Sequence, residues 1–132
     1  MKKIVKLGSG AGGKMCAAKL KRHLGKDWTI TIIDNDEKHH YQPGWLFIPF
    51  GIYTAADCEK PKRDFIPSGV DFVLDDVVGV NTEQNEVECK KGKYNYDWLI
   101  VATGCQPVPE EVEGLEDWKP DSKANEHTFF TQ

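Results

Sequence analysis

Between Leu7 and Lys14 the chain reads G-S-G-A-G-G, which puts Gly8, Gly10, Gly12 and Gly13 at one corner. The segment leading in, KKIVKLG (2–8), reads as a strand, and residues 13–24 leading out read as a helix. Met15, Ala17, Ala18, Leu20 and Leu24 can cover one face of that helix. Gly25 follows as a candidate C-cap, behind a basic last turn. TITIID (29–34) is a β-branched run suited to a buried parallel strand. Strand, glycine turn, helix and strand within 34 residues form a βαβ unit, whose crossover is expected to be right-handed. The fold class that follows is α/β, with a Rossmann-like parallel sheet.

Gly8, Gly10 and Gly13 satisfy G-x-G-x-x-G, and the spacing has a physical meaning. The first glycine makes the tight turn out of the strand. The second leaves the backbone bare for a pyrophosphate, and the third lets the helix pack against the strand. The helix N-terminus then presents free N–H groups to the phosphates. Asp34 ends the second strand, where its carboxylate can accept hydrogen bonds from a ribose. The plainer alternative is a glycine-rich tight turn with Asp34 as a helix cap or solvated acid.

Composition narrows the classes. The chain has 132 residues, 39% hydrophobic and 29% charged, in the range of one soluble domain. A net charge of −4 without a basic, aromatic-interleaved patch argues against nucleic acid. The longest apolar run, WLFIPFGIY (45–53), is too short to span a bilayer, and no signal-peptide h-region is present. A cytoplasmic location is the default expectation. Cys16, Cys58, Cys89 and Cys105 form no CxxC pair and no zinc spacing, so none is expected to ligate a metal. Cys16, on the first helix, is expected to face the sheet, and Cys58 and Cys89 are read as structural or exposed.

Residues 35–69 are rich in proline and aromatics, and read as a long ordered excursion with short helices. Trp45, Phe47, Phe50 and Tyr53 are expected in a core; the sharper alternative is a membrane-facing rim. His39 and His40 are adjacent and cannot both face one ion in an extended chain, so surface packing is favoured over metal. KPKR (60–63) reads as a solvated helix start, with an anionic-lipid contact as the alternative. A third strand is expected at 69–74. VVGVN (77–81), NEVECKK (85–91) and the piece ending at Tyr96 alternate as an antiparallel meander. DWLIVATG (97–104) is a further buried strand, and 105–132 reads as a loop.

The glycine corner, the meander and the small-residue turn after LIV resemble the FAD domain of the pyridine nucleotide–disulfide oxidoreductases. HHYQPGWLFIPFGIY, KPKRDFIPSGVDFV, YDWLIVATG and VPEEVEGLEDW narrow the resemblance to sulfide:quinone oxidoreductases. That resemblance implies a flavoprotein that binds FAD, oxidises sulfide and reduces a quinone at a membrane surface. It implies that Gly8, Gly10, Gly12 and Gly13 meet the pyrophosphate, and that Asp34 and Asn35 meet the ribose. Tyr41, Gln42 and Pro43 would run beside the flavin, His39 and His40 would pack at the surface or on its side, and Trp45, Phe47, Phe50 and Tyr53 would, in the sharper alternative to a core, line a quinone route. Val77 or Val78 would offer backbone to the adenine, and Ala102, Thr103 and Gly104 would form the second cofactor-contacting turn. Cys105 directly follows that turn and is the candidate redox cysteine, with an ordinary turn thiol as its alternative.

The family needs more chain than this. Residues 1–132 therefore read as a single N-terminal FAD-binding domain, incomplete relative to the family, with 105–132 leading toward a second domain. Membrane contact would come through C-terminal parts, and an exposed surface could pair two copies. Lys6, Lys14 and Glu59 look too polar for their places. The expectation tied to them is that Lys6 faces a side of the sheet that lost its cover. The alternative to an enzyme part is a truncated or redesigned Rossmann-like domain without catalysis, binding an ADP-containing ligand or nothing. A weaker third reading, a stand-alone NAD-binding regulator, is disfavoured by the meander and the ATG turn.

Overall fold

A computed structural model describes residues 1–105, 108 and 111–114. They form two compact units. The first holds Met1–His39 and Pro61–Gly104; the second holds His40–Lys60 with the described residues from Cys105 on.

The first unit is built on a four-stranded parallel sheet in the order β5-β2-β1-β9. Its strands are β1 (Lys2–Leu7), β2 (Trp28–Asp34), β5 (Asp71–Leu74) and β9 (Trp98–Val101). Central β1 pairs in parallel with β2 on one side and β9 on the other, so Lys6 stands opposite both Ile32 and Ile100. Alternation along β1 sends Ile4 to one face and Val5 and Leu7 to the other. Ile4, Ile30 and Ile32 pack with Ala17 of α1 (Ala11–His23), flanked by Leu20 and Leu24. Val5, Leu7 and Ile33 pack with Val87 and Cys89 of the meander. Both faces are covered, which is why the strands are apolar nearly throughout. Burying a side chain such as Ile32 fully contributes about 1.5–3 kcal/mol.

The meander is antiparallel, in the order β6 (Val77–Asn81), β7 (Glu86–Cys89) and β8 (Lys93–Asn95). Its first hairpin turns through Asn85 at φ +51°, a conformation asparagine tolerates. The Asn81 Oδ1 carboxamide oxygen accepts the Glu83 and Gln84 N–H groups and closes the same turn.

Several boundaries differ from the sequence reading. Helix α1 starts two residues earlier, at Ala11, and its C-cap is Leu24 in extended backbone rather than Gly25. Met15 is 62% exposed, so the buried stripe of α1 runs instead through Gly13, Lys14 and Ala17. The third and last strands are shorter than 69–74 and 97–104, because only the paired residues stay extended.

The expectation for Lys6 is overturned. It has no exposed surface, because alternation places it on the Ile4 face, under α1. The sheet has not lost its cover there.

In the second unit, α2 (Gln42–Trp45) is a single turn with Pro43 inside it. The chain then continues through a 3₁₀ turn at Ala56–Cys58. His40, Glu59 and Lys60 of this unit belong to a two-stranded ribbon in which β3 (Lys38–His40) pairs with β4 (Glu59–Pro61). Trp45 is buried with its ring edge-on to His40 at 5.8 Å, and Cys58 is buried against Gly44. The core expectation holds for Trp45 only. Phe47, Phe50 and Tyr53 are exposed, because a four-residue helix cannot cover them. No helix among the described residues is long and apolar enough to cross a membrane.

Candidate functional site: the glycine corner

Each glycine of the corner has a distinct physical reason. Gly8 stands at φ +87°, and a Cβ there would lie 2.3 Å from the Ala102 carbonyl oxygen. Only glycine permits that turn and that closeness. The Gly8 N–H donates to Ile33 O at 2.8 Å and the Ala102 N–H to Leu7 O at 2.9 Å, fixing the carboxyl ends of β1, β2 and β9 to one another. A Cβ on Gly13 would meet Gly8 O at 2.6 Å and Lys6 Nζ at 2.4 Å, so Gly13 is what lets α1 lie against the turn. Gly10 and Gly12 have no neighbouring atom within 4 Å of where a Cβ would be. Bare backbone therefore faces open space at the head of α1. Its N-cap Gly10 lacks a side-chain cap, and its first turn holds no acid. Such a helix end attracts anions.

Asp34 is neither a helix cap nor a solvated acid. Its side chain is 9% exposed. Oδ2 accepts the Ser9 N–H and the Ser9 hydroxyl, both at 2.6 Å. Oδ1 accepts the Asp36 N–H and the Lys62 ammonium, both at 2.9 Å. Burial pulls the carboxyl upward. The Ser9 hydroxyl, the Asp36 N–H, the Lys62 ammonium and the Ser9 N–H outweigh it and hold Asp34 below the usual carboxylate range. Four donors occupy the four lone-pair sites of the carboxylate.

Lys62 and Ser9 were not singled out from the sequence. The KPKR run reads there as solvated, yet Lys62 is 7% exposed and opens a 3₁₀ turn at Lys62–Phe65. Its own N–H donates to Glu37 O, which brings its ammonium to Asp34 and within 3.7 Å of Asp36. Pro61 before it was the usable signal, since proline is favoured at the entry to a helical turn.

Two further lysines stand at this corner. Lys6 Nζ donates to Gly8 O at 2.8 Å from beneath the turn. Burial lowers the proton affinity of Lys6, while the charges of Cys16 and Asp34 work against that. Lys14 is 9% exposed, with its ammonium 4.4 Å from the centre of the Phe65 ring. Burial lowers its proton affinity and Lys62 lowers it further, against the pull of Asp34.

The first unit thus gathers Gly8, Gly10, Gly12, Gly13 and Asp34. Ala102 is half-buried beside Gly8, with Thr103 and Gly104 exposed just after it. Asn35 is exposed and its side chain bonds Asp76 rather than turning to Asp34. Val77 and Val78 are exposed on β6. Tyr41, Gln42, Pro43 and Cys105 belong to the second unit and are exposed. Cys58 and Cys89 are buried and Cys16 half-buried. His39 packs edge-on to Phe65 at 5.5 Å, and His40 Nδ1 stands 3.8 Å from Glu59. Gln106, Pro107, Pro109, Glu110 and 115–132, including part of the segment VPEEVEGLEDW, lie outside the described residues.

The pattern of the pyridine nucleotide-disulphide oxidoreductases matches residues 2–131. The mitochondrial sulfide:quinone oxidoreductase of Dictyostelium discoideum is 40% identical over 116 residues, 87% of this chain and 26% of that protein. Its counterpart in Mus musculus is 33% identical over 115 residues, 86% of this chain and 25% of that protein. The crystal structure of the sulfide:quinone oxidoreductase of Aquifex aeolicus superposes with a TM-score of 0.70 at 26% identity. That match covers 82% of this chain and 25% of the other. The chain therefore spans about a quarter of the length of the relatives it matches. A family pattern running through nearly every residue, on a parallel sheet with a glycine corner and a meander, places the chain in the pyridine nucleotide-disulphide oxidoreductase family.

Proposed function

We propose that this chain is the FAD-binding portion of a sulfide:quinone oxidoreductase-type flavoprotein. One observation carries the reading: bare backbone at Gly10 and Gly12 opens at the head of α1, beside the buried Asp34 carboxylate. A diphosphate fits the first, and a ribose reaches the second once the Lys62 ammonium gives way. Relatives named as sulfide:quinone oxidoreductases support the type. FAD, when bound, supplies two-electron redox chemistry. Sulfide as donor and quinone as acceptor are proposals for the whole enzyme, to which this chain would contribute nucleotide binding.

Within that reading the chain's own residues have separable tasks. Gly8 and Gly13 hold the turn against Ala102 and α1, and the N–H groups after Gly10 receive the diphosphate. Thr103 and Gly104 offer backbone at the same sheet edge. Asp34 receives the ribose hydroxyls only if one of its four donors gives way. The Lys62 ammonium, on a flexible stem, is the donor able to move. Cys105 stays the candidate redox thiol by its position after Gly104 in sequence.

A second reading is a Rossmann-like domain that binds an ADP-containing ligand or nothing; the saturation of Asp34, which any adenosine ribose would meet, favours its ligand-free form. The test for both is a visible absorption spectrum of the purified protein and a titration with FAD. A bound-flavin spectrum bleached by sulfide supports the first reading. Saturable ADP binding without FAD binding supports the second. Absence of any nucleotide binding overturns the cofactor reading.

A further inference from the structure

Lys14 is a buried cation with no anion paired to it among the described residues. It is 9% exposed, and among the described residues its ammonium has no ion-pair or hydrogen-bond partner, only the Phe65 ring face at 4.4 Å. A ring face compensates an ammonium less well than an anion does, and an uncompensated buried charge is costly. Asp34 is close enough to act on Lys14, but its lone pairs are taken by Ser9, Asp36 and Lys62. Lys62 adds repulsion. Lys14 therefore belongs to a group of three buried lysines, with Lys6 and Lys62, around the buried Asp34 carboxylate, and the partly exposed Asp36 carboxylate, 3.7 Å from Lys62, is the other acid there. The same corner adds the uncapped head of α1 with no acid in its first turn. An arrangement with this surplus of positive charge is completed by a ligand carrying more than one negative charge.

We propose that Lys14 is a phosphate-binding residue of this site, its Nζ donating to a phosphate oxygen of a nucleoside diphosphate group while the α1 N–H groups take the other phosphate. The proposal deepens the nucleotide reading above and rests on it. Lys14 then discriminates by phosphate count. It favours a diphosphate over a monophosphate, and contributes nothing to a nucleoside.

The experiment is isothermal titration of the full chain with ADP, AMP and adenosine, for wild type, Lys14→Met and Lys14→Arg. Thermal melting confirms that each variant is folded. Lys14→Gln replaces Lys14→Met should the latter not fold. Losing a hydrogen bond to a charged group weakens binding about 10- to 100-fold. That loss is expected for ADP in Lys14→Met, with a smaller loss for AMP and none for adenosine. Lys14→Arg is expected to keep most of the ADP affinity. Undiminished ADP binding by a folded Lys14→Met overturns the Lys14 assignment and leaves the nucleotide reading standing. An equal loss for ADP and adenosine overturns it too, since it marks a disturbed fold. Failure of the wild type to bind ADP overturns the nucleotide reading and this proposal together.

Discussion

The Lys6 ammonium lies beneath the glycine turn and donates to the Gly8 carbonyl oxygen at 2.8 Å, with no surface exposed to solvent. A charge in the middle of a two-sided parallel sheet is thereby tied to the loop that a nucleotide would approach. The stem of Lys6 runs under α1, and Gly13 is the residue whose missing side chain leaves room for its tip.

Replacing Lys6 with Val removes a desolvated charge from the core. The variant is expected to be more stable by about 1–4 kcal/mol, as when buried charged groups give way to packed apolar ones. Urea unfolding at pH 7 measures it. A less stable variant would show that the Gly8 carbonyl bond outweighs the cost of burial.

The same residue sets a pH dependence. The folded state holds the Lys6 proton affinity below the ordinary 10.5, chiefly by burial. Between that lowered value and 10.5 the unfolded chain binds the extra proton, so stability rises with pH across that window. Lys14 acts in the same direction. The wild-type-minus-Lys6→Val difference in denaturation midpoint isolates Lys6, and is expected to shrink as pH approaches 10.5. A flat difference would contradict a charged, buried Lys6.

Asp34 works with the opposite sign. Its folded-state pKa is held below 3.8, so its contribution is present above that value and is lost as pH falls through the folded pKa. Asp34→Asn is expected to cost about 1.5–3 kcal/mol at neutral pH, since it removes a charged hydrogen bond to the buried Lys62. It is also expected to reduce the loss of stability between pH 5 and the acid range, read from urea midpoints. An unchanged acid limb would show that other carboxylates govern it.

Two glycines of the corner are predicted to behave differently. Gly8→Ala forces a side chain into φ +87° and onto the Ala102 carbonyl, costing at least about 1–2 kcal/mol for the backbone conformation alone. Gly10→Ala meets open space and changes stability by less than about 1 kcal/mol. It should nevertheless weaken ADP binding, because the new methyl group stands where a phosphate would approach. Paired melting curves and titrations decide this, and equal stability losses at both sites would refute it.

The thiols divide by accessibility. Cys105 is exposed, Cys16 half-buried, and Cys58 and Cys89 buried, with burial and then Asp75 raising the Cys89 thiol. Alkylation followed by peptide mapping is expected to modify Cys105 first and Cys58 and Cys89 only on unfolding. Early labelling of Cys89 would place that strand outside the core.

The α/β class, the turn and the meander were legible because they rest on local rules. Strands need β-branched runs, a tight turn out of β1 needs glycine, and a short antiparallel hairpin announces itself by alternation around polar turns. The spacing of Gly8, Gly10 and Gly13 points to a tight turn, bare backbone and close helix packing, and the structure has Gly8 at φ +87°, open space at Gly10 and Gly13 against the Gly8 carbonyl. The fate of charges was not legible. Whether Lys6 reaches solvent depends on what covers the Ile4 face of β1. Whether KPKR is solvated depends on the Lys62 turn lying against the end of β2, 28 residues away in sequence. Phe50 and Trp45 are both apolar, yet one is exposed and the other buried, because only packing decides which apolar groups find a partner. Local chemistry in the sequence determined the elements and their turns. Tertiary structure alone decided that Asp34 is saturated and that Lys14, among the described residues, is not, because hydrogen-bond partners are shared out by distance in space, which sequence order does not contain.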